Sequence, residues 1–256
     1  MLVSILCQLA ITALATASPI EKKAALPPTF LLAGDSTTAK TTATGGGWGD
    51  GFLSTLVGGA TGVNFGRNGA TTESFVANGV WAKVIDEIKK QKAAYTPYVT
   101  LQFGHNDQKT EKNISVEKYS ANLKALAGEV TAAGGTPILV TPIARRKYKG
   151  GAISPDLAAQ VTATLQVARD IGSAYIDLNA ASTKYLNAIG EQKARTYDLR
   201  NGDATHLNAQ AGKVFGNMAS QLISASQVGN AVKAYLKQDQ AIIDAIASGT
   251  YILPSA

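Results

Sequence analysis

The chain has 256 residues, of which 45% are hydrophobic and 16% are charged, and its formal net charge is +6. This length fits one α/β domain, and the composition is that of a globular protein, which excludes the disordered and fibrous classes. A basic surface favours acidic partners, but the longest basic cluster is Arg145-Arg146-Lys147, without interleaved aromatic residues, so nucleic acid is not an expected partner.

The first residues have the pattern of a secretion signal. Residues 2–17 are uncharged and end in Ala15-Thr16-Ala17, the small-residue pattern that cleavage requires. The apolar run is too short to span a bilayer comfortably. We therefore expect a signal peptide over 1–17, a short N-terminal segment over 18–28 and a secreted, extracellular protein. The only cysteine, Cys7, lies in this leader, so the mature chain would have no disulfide and no thiol nucleophile.

Beyond this leader, short apolar runs alternate with longer segments of helical periodicity. The expected strands are five runs, at 30–33, 63–65, 98–103, 137–141 and 175–178. Apolar spacing predicts helices over 81–94 and 116–133, and Ser154-Pro155 is typical of the N-cap and first residue of another helix. Because strands that alternate with helices form βαβ units, the sequence predicts an α/β fold with a doubly wound parallel sheet.

The predicted domain spans residues 29–225. Apolar residues at helical spacing in 226–256, among them Val232 and Ile242, predict a helical tail packed on that domain. Ligands of parallel α/β sheets bind outside the carboxyl ends of the strands, so functional residues are expected there.

Two histidines, His105 and His206, are too few for a three-histidine metal site, and no His-Glu-x-x-His motif occurs, so we expect no metal. His206 follows Asp203 by three residues, a spacing that lets the carboxylate reach Nδ1 and leaves Nε2 free to face a serine. An aspartate that caps a helix beside a surface histidine has the same spacing, so the pair alone leaves both interpretations open.

Ser36, in Gly34-Asp35-Ser36, follows the turn that ends the first expected strand. This position puts its hydroxyl at the carboxyl edge of the sheet and its N–H near the start of a helix, and acyl transfer uses both groups. The alternative is an N-cap in an ordinary strand-to-helix turn. Gly69 and Asn106 follow the second and third strands and offer further N–H donors, although each alone is also a common turn former.

The order of these residues resembles that of the SGNH hydrolases, also called GDSL-type esterases, whose four sequence blocks match at Ser36, Gly69, Asn106 and His206. Longer stretches resemble the rhamnogalacturonan acetylesterase family, at 33–40, 47–50, 103–107 and 141–146. Residues 70–75 depart from that family, which often carries an arginine- and serine-containing stretch there.

The resemblance implies a flavodoxin-like three-layer α/β/α fold with a central parallel five-stranded sheet. It implies a catalytic triad of Ser36, Asp203 and His206, an oxyanion hole of Ser36, Gly69 and Asn106, and no cofactor. The implied activity is that of a secreted serine esterase, a monomer without a membrane partner. It would remove acetyl groups from an acidic plant cell-wall polysaccharide, rhamnogalacturonan.

Three further expectations concern the surroundings of this site. Arg145 and Arg146 follow the fourth strand, where they would either meet a uronate carboxylate or pair with surface acids. Gly45-Gly46-Gly47 predicts a mobile loop near the site. If the chain is secreted, Asn113-Ile114-Ser115 is an N-glycosylation sequon.

Other functions remain open at this point. The same chemistry would serve an ester of acetylated xylan or a lipid or short-chain ester. A non-catalytic carbohydrate-binding protein on a hydrolase scaffold is a second class, although such scaffolds usually lack a triad member. A nucleotide-binding flavodoxin-like module is a third, but phosphate-loop glycines do not follow the first strand.

Overall fold

The computed structural model describes residues 25–255. The expected signal peptide and Cys7 lie outside the described residues, as does most of the short segment 18–28. None of the described helices is both long enough and apolar enough to cross a bilayer.

The described chain alternates strands and helices. The strands are β1 (Pro28–Gly34), β2 (Thr61–Asn64), β3 (Thr96–Gln102), β4 (Thr136–Val140), β5 (Tyr148–Lys149), β6 (Ala152–Ile153) and β7 (Ala174–Ile176). The helices are α1 (Gly49–Leu53), α2 (Thr72–Ala77), α3 (Val80–Gln91), α4 (Val116–Ala133), α5 (Ala158–Asp170), α6 (Leu178–Ala194), α7 (Ala209–Ser224), α8 (Gly229–Val232) and α9 (Gln240–Ser248).

A five-stranded parallel sheet forms the centre, in the order β2-β1-β3-β4-β7. This is the flavodoxin-like order, and the predicted fold class is confirmed. Every residue of β1 is buried, with β2 on one side and β3 on the other. Burial on both faces explains why the residues from Phe30 to Ala33 in β1 form a continuous apolar run rather than an alternating one.

Alternate residues of β1 contribute to two separate cores. Leu31 and Ala33 pack on the face covered by α3, α4 and α5, while Phe30 and Leu32 pack on the face covered by α1, α6 and α7. The residues Val232, Leu236 and Ile242 of the tail belong to this second core. Backbone hydrogen bonds from Val57 to Tyr235 and from Lys237 to Thr55 join the tail to the loop after α1.

The expected helix start at Ser154 and the expected end of the fifth strand were wrong. Ser154 and Pro155 do not begin a helix, because they follow the β5–β6 hairpin, and α5 starts at Ala158, whose N–H donates to the Pro155 carbonyl. The fifth strand of the sheet ends at Ile176 rather than Leu178. The Asp177 carboxylate accepts from the N–H of Ala180 and so begins α6, a helix that the sequence did not reveal.

Candidate active site

The turn after β1 carries Ser36. The N–H groups of Thr38 and Ala39 both donate to the Asp35 carbonyl, which closes the turn directly around Ser36. Gly34 is required before it, because a Cβ there would lie 2.3 Å from Thr38 Oγ1 and 2.7 Å from the Gln102 carbonyl. The strand therefore ends at a close backbone approach that fixes where the serine hydroxyl emerges.

The loop before α7 carries the aspartate and the histidine. The two Asp203 carboxylate oxygens lie 3.1 and 3.0 Å from His206 Nδ1. Asp203 Oδ1 also accepts from the backbone N–H groups of Thr205 and His206. Partial burial tends to raise the pKa of Asp203, but the hydrogen bonds from the backbone and ring of His206 outweigh it and hold that pKa below its ordinary value of 3.8.

The two loops meet at the carboxyl end of the sheet. His206 Nε2 lies 2.9 Å from Ser36 Oγ, so serine, imidazole and carboxylate form one continuous series of hydrogen-bond distances. Because Nδ1 faces a carboxylate, it carries the proton, and Nε2 is left as an acceptor toward the serine hydroxyl. This arrangement can activate Ser36 as a nucleophile.

Arg146 is placed differently from what the sequence led us to expect. Its side chain is fully buried and its Nε lies 2.7 Å from Asp198 Oδ1, so it is not available to a substrate. Its Nη2 donates to the Asp203 and His206 carbonyls at 3.1 and 2.5 Å. Arg146 therefore holds the histidine loop through these two carbonyls. The expected contact with a uronate was wrong; Arg146 does pair with an acid, but that acid is buried rather than on the surface.

Arg145 is also largely enclosed, with 9% of its side chain exposed. Its guanidinium donates to Asp156 at 3.0 Å, to Thr205 Oγ1 at 3.1 Å and to the His105 carbonyl at 3.1 Å. It lines a cavity of about 340 Å³ together with residues of the β6–α5 loop and of α6. Arg145 thus links the loops that follow β3 and β4 to the residue next to His206, and most of its donors are already engaged.

The glycine-rich loop packs tightly against the site, contrary to the mobile loop that was expected. Gly45, Gly46 and Gly47 are buried. A Cβ on Gly47 would lie 1.9 Å from the Thr37 carbonyl, and one on Gly46 would lie 2.3 Å from the Leu207 carbonyl. The Leu207 N–H donates to the Gly46 carbonyl at 2.8 Å. Glycine is needed at positions 46 and 47 because this loop packs between the serine turn and the histidine loop.

The expected oxyanion donors follow β1, β2 and β3 and so lie at the same end of the sheet. Within the described residues, the backbone N–H groups of Ser36 and Gly69 donate to no protein acceptor. Gly69 has φ +74°, which glycine adopts without strain, and nothing approaches its α-carbon on the side of a Cβ. Asn106 Nδ2 donates to the Ala70 carbonyl at 3.0 Å, which uses one of its two protons and joins its loop to that of Gly69.

Two other candidate positions lie on the surface. Asn113 is exposed, with a left-handed φ of +52°, two residues before Ser115, whose hydroxyl caps α4. Arg67, which the sequence reasoning missed, is exposed two residues before Gly69. Among residues 25–255, no three His, Cys, Asp or Glu side chains are grouped as metal ligands.

Comparison with known proteins matches residues 32–214 to the GDSL-like lipase/acylhydrolase family. The rhamnogalacturonan acetylesterase RhgT of Bacillus subtilis is 29% identical over 173 residues, which cover 66% of this chain and 72% of RhgT. The probable rhamnogalacturonan acetylesterase YesY of the same organism is 28% identical over 199 residues, which cover 74% of this chain and 89% of YesY.

Solved structures share the fold. Protein YXIM of Bacillus subtilis superposes with a TM-score of 0.68 at 22% identity, over 78% of this chain and 57% of YXIM, so the chain spans little more than half of that protein's length. Axe2, an acetylxylan esterase from Geobacillus stearothermophilus, gives a TM-score of 0.54 at 21% identity, over 75% of this chain and 90% of Axe2. Because the family match covers more than half of the sequence and includes the positions of Ser36 and His206, the chain belongs to the GDSL-like lipase/acylhydrolase family and is a carboxylic ester hydrolase.

Proposed function

We propose that this chain is a secreted serine esterase that removes acetyl groups from rhamnogalacturonan. The observation that carries the proposal is the hydrogen-bonded series Ser36–His206–Asp203, in a chain whose relatives RhgT and YesY are named rhamnogalacturonan acetylesterases. All three members of the series are present, which favours catalysis over a non-catalytic carbohydrate-binding role.

The proposed reaction is acyl transfer through Ser36. His206 Nε2 takes the hydroxyl proton as Ser36 Oγ attacks the acetyl carbonyl, and Asp203 holds the imidazolium that forms. The protonated His206 then gives its proton to the departing sugar oxygen, and water repeats the sequence on the acetyl-enzyme to release acetate. The free N–H groups of Ser36 and Gly69 and the second amide proton of Asn106 would stabilise the negative charge on the carbonyl oxygen.

The acidic nature of the substrate is supported by the surface beside Gly69. The Arg67 N–H donates to the Gly34 carbonyl, two residues before Ser36, so the base of this side chain lies close to the nucleophile turn. Its guanidinium is exposed and takes part in no ion pair within the described residues. It lines a cleft of about 260 Å³ with Gly69 and Asn78. We assign the uronate contact to Arg67, in place of the buried Arg146 and the engaged Arg145.

Export belongs to the same proposal, because a pectin of the cell wall is met outside the cell. The uncharged run ending in Ala15-Thr16-Ala17 supports cleavage of a leader, and the exposed Asn113 is a site for a glycan. We propose that the exported enzyme is a monomer without a cofactor.

A substrate panel tests the choice of polymer. Acetate release is measured from acetylated rhamnogalacturonan, acetylated homogalacturonan, acetylated xylan and p-nitrophenyl acetate. We expect the highest kcat/KM on rhamnogalacturonan, and a wide preference for xylan or for the neutral ester would contradict the proposed substrate.

Arg67→Ala supplies the second arm of this test. Loss of one exposed charge contact should raise KM for rhamnogalacturonan about 3- to 10-fold, equivalent to roughly 1 kcal/mol, and leave p-nitrophenyl acetate unaffected. Arg169→Ala, an exposed arginine in the last turn of α5, is the matched control and should change neither. An equal loss on both substrates in Arg67→Ala would refute the uronate contact.

A further inference from the structure

Behind Ser36 lies a network of five buried polar side chains with no part in the reaction described above. Its members come from the serine turn, the start of α1, the end of β3 and the loop after β3, and at most 2% of any of them is exposed: Asp35, Thr37, Trp48, Gln102 and His105. Buried polar groups of this kind are stable only when their hydrogen bonds are satisfied.

The donor and acceptor of each hydrogen bond in this network follow in turn from Trp48, the member whose role is fixed. Trp48 Nε1 can only donate, and it lies 2.6 Å from Gln102 Oε1. Gln102 therefore presents its amide protons to Thr37 Oγ1, 2.7 Å from Nε2. The Thr37 hydroxyl must give its single proton to Asp35 Oδ1, 2.7 Å away. That same oxygen accepts from the Thr37 backbone N–H at 2.8 Å, so Asp35 is surrounded as a carboxylate would be.

The atoms that face the His105 ring can only accept. Nε2 lies 3.0 Å from the Ile143 carbonyl, so it carries a proton. Nδ1 lies 3.4 Å from Asp35 Oδ2 and 3.5 Å from Thr37 Oγ1, whose proton is already committed to Asp35. Within residues 25–255, no other donor reaches Asp35 Oδ2. A neutral ring would leave Nδ1 facing acceptors without a proton between them.

The charges around this ring are consistent with a cation. Burial raises the pKa of Asp35, but the adjacent His105 and the hydrogen bonds from Thr37 more than offset this, and the pKa is lowered from its ordinary value. On the other neighbouring elements, Asp107 accepts from Gly104 and Thr72, and Arg145 donates to the His105 carbonyl. Asp35 is the only one of these groups whose charge directly faces a ring nitrogen.

We propose that His105 is a buried imidazolium paired with Asp35 and that this pair positions the catalytic groups. Asp35 immediately precedes Ser36, and His105 immediately precedes Asn106. The pair thus joins the nucleophile turn directly to the loop of the oxyanion amide, and Ile143 anchors it to the loop after β4. This kinetic role depends on the proposed function, whereas the charge of His105 does not.

The charge is tested by NMR of the full chain labelled with ¹⁵N-histidine. Only two histidines contribute signals, and His206→Gln assigns them. We expect both ring nitrogens of His105 to carry a proton in the folded protein at pH 7.5, and Asp35→Asn to convert the ring to its neutral form at the same pH. A neutral His105 in the wild-type protein at pH 7.5 would overturn the proposal, whatever ester the enzyme prefers.

The positioning role is tested by kinetics on p-nitrophenyl acetate. His105→Gln should lower kcat about 100-fold with KM changed less than threefold, because a small displacement of the serine turn affects the transition state more than binding. The double variant Asp35→Asn/His105→Gln restores a neutral hydrogen-bonding pair and should recover part of the loss. Lys118→Gln, which breaks the exposed ion pair with Glu73, is the matched control and should leave kcat unchanged. A wild-type kcat in His105→Gln would refute the role.

Discussion

The Nε2 atom of His206 lies 2.9 Å from the Oγ atom of Ser36, although 170 positions of sequence separate the two residues. The serine comes from the turn after β1 and the histidine from the loop before α7. The hydrogen bond from the Leu207 N–H to the Gly46 carbonyl holds the histidine loop against the glycine-rich segment, which in turn packs on the serine turn. Glycine at positions 46 and 47 is thus part of what brings a nucleophile and its base together.

Replacing Asp203 by asparagine should lower kcat by a factor of about 10⁴ with little change in KM. The asparagine amide would donate to His206 Nδ1, which forces the ring proton onto Nε2 and removes the acceptor for the Ser36 hydroxyl. Hydrolysis of p-nitrophenyl acetate measures the effect, with Asp170→Asn, on the exposed end of α5, as control. A loss of less than tenfold would argue against Asp203 as the partner of His206.

The pH profile should report a single proton on its acid side. The pKa of Asp203 is lowered below 3.8, so its stabilising contribution is complete above that value and is lost as the pH falls through the lower, folded-state pKa. Above about pH 4.5, Asp203 therefore stays ionised, so its protonation does not add to the loss of activity on acidification. A plot of log kcat/KM against pH should have a slope of one there, and a slope of two would contradict the account.

Arg146→Met should destabilise the fold by about 3–5 kcal/mol, because it leaves the Asp198 carboxylate buried without its main partner. The same carboxylate provides a matched control. Arg195 lies 3.7 Å from Asp198 with 37% of its side chain exposed, so Arg195→Met should cost at most about 1 kcal/mol. Urea denaturation measures both free energies of unfolding, and equal losses in the two variants would contradict the buried role of Arg146.

Patterns with a direct physical cause were predictable from the sequence. The apolar run of β1 predicted a buried strand, and the positions of Ser36 and His206 at strand and helix ends indicated them as candidates for acyl transfer. Features that depend on tertiary packing could not be predicted from the sequence. Ser154-Pro155 has the local pattern of a helix start, but these residues lie in the loop between the β5–β6 hairpin and α5.

The sequence also did not indicate which charged side chains are buried. Arg145 and Arg146 are adjacent and chemically identical. Only Arg146 is fully buried, where it donates a hydrogen bond to Asp198, 52 positions away in the sequence. His105 was noticed as part of the Asn106 block, but its pairing with Asp35 depends on the parallel registration of β1 with β3. A charge cluster or a histidine in a sequence gives no indication of which distant group it will meet.

The kcat of Ser36→Ala on p-nitrophenyl acetate tests the central claim most directly. With the fold intact by circular dichroism, we expect a fall by a factor on the order of 10⁶, close to the uncatalysed background, because no other hydroxyl lies within reach of His206 Nε2 among the described residues. Activity within tenfold of the wild-type value would contradict Ser36 as the nucleophile.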